Sequence, residues 1–110
     1  MSGVTCPKHQ TGNGPCYCQQ FIEQRTESMI SDIRSELLRA RSKFVGNNHQ
    51  LTAFNEEAGE LNKAMLENHY AGVPCRDVYM EAVQAAAMAI RVATEGDSTF
   101  TYNPLEVFQE

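Results

Sequence analysis

The segment Glu56-Glu57-Ala58-Gly59-Glu60, within FNEEAGELNKAM, places three carboxylates inside a helical pattern. On a wheel of about 100° per residue, Phe54, Ala58, Leu61 and Met65 form one apolar stripe, and Glu57 falls about 60° from its centre. Glu60 lies one turn from Glu57, whereas Glu56 and Lys63 point the opposite way. Carboxylates three residues apart on one helix face repel, and beside an apolar stripe they also lose water. A divalent cation relieves both penalties, and hard oxygen donors suit Mg²⁺. Further along, Asp77, Glu81, Gln84, Arg91 and Glu95 occupy one sector of about 80° on another predicted helix, with Met88 among them. The opposite side carries Val83, Ala86 and Ile90. A Glu pair on a surface helix is ordinarily a solvated face. Two acid-bearing sectors on consecutive helices that pack together demand a partner, because unpaired buried charge costs several kcal/mol.

A second constellation lies near the start. Cys6, His9, Cys16 and Cys18 read C-x2-H-x6-C-x-C, a set that could close around Zn²⁺ through the Gly/Pro-rich loop between them. The alternative is an unstructured segment with incidental thiols. Cys75 stands apart and reads as a small apolar residue.

These side chains need a scaffold. Residues 1–18 read as loop and residues 19–96 as a helical domain, and residues 97–110 form a tail carrying Phe100, Tyr102, Leu105, Val107 and Phe108. Ile22, Met29, Ile30, Ile33, Leu37, Ala40 and Phe44 recur at spacings of three and four, predicting a helix from about Gln19 to Phe44. It would be roughly 38 Å long, longer than a compact chain of this size, which predicts packing on another subunit. A second helix is predicted from about His49 to Asn68, broken by Ala71-Gly72-Val73-Pro74, and a third from about Arg76 to Thr94 with Gly96 as its cap. The fold class is therefore all-α, a bundle of about three helices per chain completed as a homo-dimer or homo-tetramer.

The 110-residue chain is 42% hydrophobic and 21% charged, the profile of a globular domain, with net charge −5. Net acidity, no Trp and no basic run weigh against nucleic-acid binding. The longest apolar run, Ala85 to Ile90, is far below the roughly 20 residues of a membrane span. The polar, Cys-rich start has no apolar leader, so a cytoplasmic protein is expected. No His follows a Glu by three residues, which excludes the carboxylate di-iron pattern.

With its flanks Lys43-Phe44, Asn48-His49-Gln50-Leu51 and Leu61-Asn62-Lys63-Ala64-Met65-Leu66, the EEAGE segment resembles the all-α NTP pyrophosphohydrolases, the MazG-like superfamily. The resemblance spans roughly residues 20–96. The superfamily hallmark is EExxE on one helix and ExxD on the next, matched here by Glu81-Ala82-Val83-Gln84. It implies hydrolysis of a nucleoside triphosphate to the monophosphate and pyrophosphate, with Mg²⁺ held by Glu57, Glu60, Glu81 and Gln84. Gln84 stands where the pattern has Asp. An amide oxygen can ligate Mg²⁺ without contributing charge, and Asp77, one turn before Glu81, could restore it. Otherwise Gln84 marks a divergent, phage-type branch.

On this reading Glu57, Glu60 and Glu81 are catalytic, and Lys43, Lys63 and Arg91 are candidate phosphate contacts. Arg91 shares the acid-bearing sector, so a structural salt bridge is its alternative. Asn48 and His49 touch base or ribose, or else cap the second helix. The competing function is a non-enzymatic, zinc-anchored helical interaction module on the same fold.

Overall fold

The computed structural model describes residues 18–109, and these are helical without strands. Three helices follow in order: α1 (Gln19–Lys43), α2 (Gln50–Ala71) and α3 (Cys75–Glu95), then a 3₁₀ turn at Pro104–Glu106. The all-α, three-helix expectation is what the chain adopts. The zinc candidates Cys6, His9 and Cys16 lie outside the described residues. No helix among the described residues is long and apolar enough to cross a membrane.

By internal contacts the chain divides after Asp32. In the first unit, the Cys18 carbonyl accepts from the N–H groups of Phe21 and Ile22, starting α1. Phe21 is buried there, with Cys18 packed against it.

The second unit, from Ile33 onward, holds the end of α1 and all of α2 and α3. α2 and α3 pack on each other through a three-residue connection, 72–74, short enough to make a helical hairpin. Gly72, at φ 71°, stops α2, and its N–H returns to the Glu67 carbonyl. A side chain there would strain the left-handed backbone. The Asn68 amide nitrogen donates to the Val73 carbonyl at 2.6 Å. That bond braces the turn and lets α2 run to Ala71, three residues past its predicted end. Leu37, Ala40, Val83, Ala85 and Ala87 are the buried apolar side chains; the small residues of α3 permit close helix approach.

The buried line on α3 runs Val83, Ala87, Arg91 at intervals of four, and Ile90 is 36% exposed. Ile90, on the side opposite the polar sector, is therefore at the margin of the packed face, whereas Arg91 of the polar sector lies inside it. The cause is the partner found by Arg91: its charge is neutralised inside, so the packed face rotates toward the polar sector. Met65, expected in the core stripe of α2, is exposed, as are Leu66 and the tail residues Phe100, Leu105, Val107 and Phe108. Cys75 is exposed too, and its Sγ accepts from Asn68 at 3.4 Å. It opens α3, as expected, but faces solvent instead of packing as an apolar residue.

Candidate functional site

A cavity of about 690 Å³ opens between the end of α1, the first half of α2 and the middle of α3. Its size suits a small-molecule ligand. From α1 it receives Glu36, Arg39 and Lys43; from α2, Glu56 and Glu57; from α3, Gln84, Met88 and Arg91. Asn48 and His49 stand on the connection that borders it. A smaller depression of about 230 Å³ carries Glu60, Lys63, Asp77 and Glu81.

Glu57 joins these surfaces electrostatically. Its Oε2 is sealed from solvent and has no hydrogen-bond partner. Burial, and then the charges of Glu81, Glu60, Glu36 and Glu56, push its carboxyl above the ordinary range. Loss of water and like-charge repulsion, expected of both Glu57 and Glu60, act on Glu57, with Glu60 and Glu81 among the charges it feels; Glu60 itself is exposed. Glu36 is an addition. On the wheel it sits beside buried Ala40, one turn away, and that offset was its only sequence signal. Glu56 is exposed, as expected, and also lines the cavity, which was not expected. A wheel drawn against one neighbour misses a cavity that α2 shares with the end of α1 as well as with α3.

Carboxylate oxygens are the right donors for Mg²⁺, and the orphaned Glu57 Oε2 is the kind of atom such an ion would satisfy. No group of three or more His, Cys, Asp or Glu side chains among the described residues is arranged to hold an ion. The donor chemistry fits, but no cage is pre-assembled. Asp77 is exposed in the first turn of α3, where an acid also favours the helix dipole.

At the other end of α3 charges are fully matched. Arg91 is 2% exposed, and its Nη2 donates to the carbonyls of Phe44 and Gly46 at 2.9 and 3.1 Å and to Glu95 at 3.0 Å. Arg41 reaches the other Glu95 oxygen at 2.8 Å, and the Gln50 amide adds a bond at 3.1 Å. Burial opposes ionisation of Glu95, but hydrogen bonds from Arg91 and Arg41, with their charges, hold its carboxyl below the ordinary range. Of the two readings of Arg91, the salt bridge is present, and it ties α3 to the α1–α2 connection. Lys63 sits away from the large cavity, 3.8 Å from Glu67. Lys43 lies 5.3 Å from the Phe44 ring centroid at the cavity edge.

Neither Asn48 nor His49 caps α2 with its side chain. His49 holds a left-handed backbone (φ 59°) and forms no side-chain cap bond. The cap comes from Asp97, distant in sequence, whose Oδ2 accepts from the Leu51 N–H at 2.8 Å. Thr99 donates from both its hydroxyl and its N–H to Oδ1. The Thr99 hydroxyl, the N–H groups of Leu51 and Thr99 and, last, that of His49 hold the Asp97 carboxyl at about 2. Next to it, the Ser98 hydroxyl donates to the Asn48 side chain. Residues 97–99 thus fasten the start of α2 and the connection before it rather than forming a loose tail.

No family model, curated protein or solved structure matches the chain.

Proposed function

We propose that the chain is a Mg²⁺-dependent nucleoside triphosphate pyrophosphohydrolase, a divergent member of the MazG-like superfamily that its EEAGE segment resembles. The observation that carries this reading is Glu57: a carboxylate oxygen sealed without a partner, among four further glutamates, at the wall of a cavity of about 690 Å³. Such an arrangement costs stability unless a cation completes it. Glu57, Glu60 and Glu81 would hold Mg²⁺, with Gln84 or Asp77 completing the set. When bound, the ion supplies neutralisation of charge developing on the phosphates. The protein's own part is to position the triphosphate against the acids and to have one glutamate orient the attacking water or take its proton. Asn48, His49 and Phe44, at the far edge of the cavity, would meet the base or ribose.

Assembly as a dimer or tetramer is part of this reading. Its support is apolar surface that one chain leaves open on α2 (Met65, Leu66, Tyr70) and on the tail (Phe100, Val107, Phe108). Light scattering that gives a monomer mass would remove it.

The deciding experiment is pyrophosphate release from a panel of NTPs and dNTPs, with Mg²⁺ and then with EDTA. Metal-dependent release from one or a few nucleotides is expected. Absence of release from every nucleotide by folded, metal-replete protein would reject the enzyme, and Gln84 would then mark a site that has lost its chemistry.

A further inference from the structure

The nucleotide reading leaves a question of charge that its acids make sharper: which groups meet the triphosphate? Arg91 is turned to Glu95 and two backbone carbonyls. The N-terminus of α2, a usual anion seat, already has its N–H groups on Asp97. Among the described residues that line the large cavity, Arg39 and Lys43 are the basic side chains outside these arrangements. They stand four apart, on one face of α1.

Arg39 has the geometry for a phosphate. Its Nε and Nη2 form a fork on the two oxygens of Glu36, at 2.9 and 2.5 Å. The Arg39 side chain is nevertheless 53% exposed, against 14% for Glu36. The guanidinium faces solvent while holding its carboxylate, so an entering anion can reach it. A triphosphate offers the same planar fork more charge and more oxygens.

Resting on the nucleotide reading, we propose that Arg39 is a substrate-binding residue, parked on Glu36 in the free protein and transferred to the phosphates when the nucleotide enters. The exchange has a second consequence. Glu36 is among the charges that act on Glu57, so its release returns a carboxylate to the acid cluster as the nucleotide and its cation arrive. This accounts for acids that are close enough to repel yet hold no ready-made cage: one of them is tied to Arg39 until substrate takes its place.

The test is calorimetric binding of α,β-imido triphosphates, which resist cleavage at that bridge, to the full chain. The analogues span the bases active in the nucleotide panel, and circular dichroism checks helix content of each variant. With Mg²⁺, Arg39→Ala should weaken binding tenfold or more and Arg39→Lys should recover part of the loss. In EDTA, where no metal role of Glu36 can intervene, Glu36→Gln should bind the analogue more tightly than wild type, because its competitor for Arg39 has lost its charge. Wild type that binds while Arg39→Ala binds equally well overturns the proposal and leaves the nucleotide reading standing. Weaker binding by Glu36→Gln in EDTA overturns the exchange. Wild type that binds no analogue overturns both.

Discussion

Replacing Glu57 by Gln should make the free protein more stable at neutral pH while removing its metal response. Gln keeps the shape and takes away the charge. The magnitude follows from the neighbours. Glu60 is one turn away, and a like-charge pair at that spacing costs about 0.2–0.5 kcal/mol. Glu81 and Glu36 act on Glu57 from α3 and α1, and each counts for about 0.5 kcal/mol, mid-range for partly exposed charge pairs. Relief of about 1.3 kcal/mol results, or a rise in Tm of about 6 °C for a domain near this size.

The sign with pH can be fixed. The Glu57 carboxyl is held above its ordinary value of 4.5, first by burial and then by Glu81, Glu60, Glu36 and Glu56. The folded protein therefore binds that proton more tightly than the unfolded chain. Wild-type stability from this group is greatest below the unfolded pKa and is lost as pH rises through the folded one. Glu57→Gln should match wild type in acid, diverge upward through the carboxylate range, and hold its advantage at pH 7. Thermal unfolding by circular dichroism in EDTA reads the difference. Added Mg²⁺ at ten times its Kd should then stabilise wild type by about 1.4 kcal/mol and the variant much less. A variant less stable than wild type at pH 7 in EDTA would show that Glu57 has a partner after all. Equal Mg²⁺ stabilisation of both proteins would remove the ion from this cluster.

Three further outcomes are expected. Arg91→Ala should lose about 3 kcal/mol in denaturant unfolding, because it strands the buried part of Glu95 and two carbonyls; Arg91→Lys should rescue little, since an ammonium cannot span the same acceptors. Asp97, depressed from 3.8 to about 2, contributes stability that is present above its unfolded pKa and disappears as pH falls toward 2. Asp97→Asn should therefore lower Tm at pH 7 and flatten its decline between pH 4 and pH 2, and an unchanged acid slope would dismiss the cap. Gly59 lies in mid-α2 with open space where a Cβ would go, so Gly59→Ala should stabilise by about 0.5–1 kcal/mol; a loss in the assembled protein would locate a second copy against that face.

The sequence exposed what repeats along a helix and concealed what meets across helices. Apolar spacing gave three helices with starts within one residue and ends within three, and Gly72 and Gly96 ended α2 and α3 through positive φ. The offset of Glu57 from its stripe was legible because angle on one helix is a local property. Glu36 and Arg39 were not, since nothing along α1 says that its end and α2 line one cavity. Asp97 was wholly hidden. It caps a helix that begins 47 positions earlier by number, and no local pattern announces a cap supplied from after the next helix. Arg91 was read on the correct sector but with both roles open, because which anion it meets depends on where the loop carbonyls of Phe44 and Gly46 arrive.

The two ends of α3 make the strongest physical argument for a site. At Glu95 the fold supplies two arginines and an amide to a single carboxylate. Four turns earlier it gathers Glu81 against Glu57, adds Glu36, Glu56 and Glu60 to the same field, and leaves Glu57 Oε2 sealed with no donor. Chain geometry does not force this contrast, because Gln84, on the same helix and lining the same cavity, offers an amide within the acid-bearing sector. A purely structural core would favour neutral residues at Glu57 as well, for the reasons that predict a more stable Gln variant. The charge gathered at Glu57 is what the proposed metal-nucleotide site would use. On the proposed reading the ligand would bring a cation to the glutamates and an anion to the fork of Arg39. A magnesium-bound triphosphate carries both.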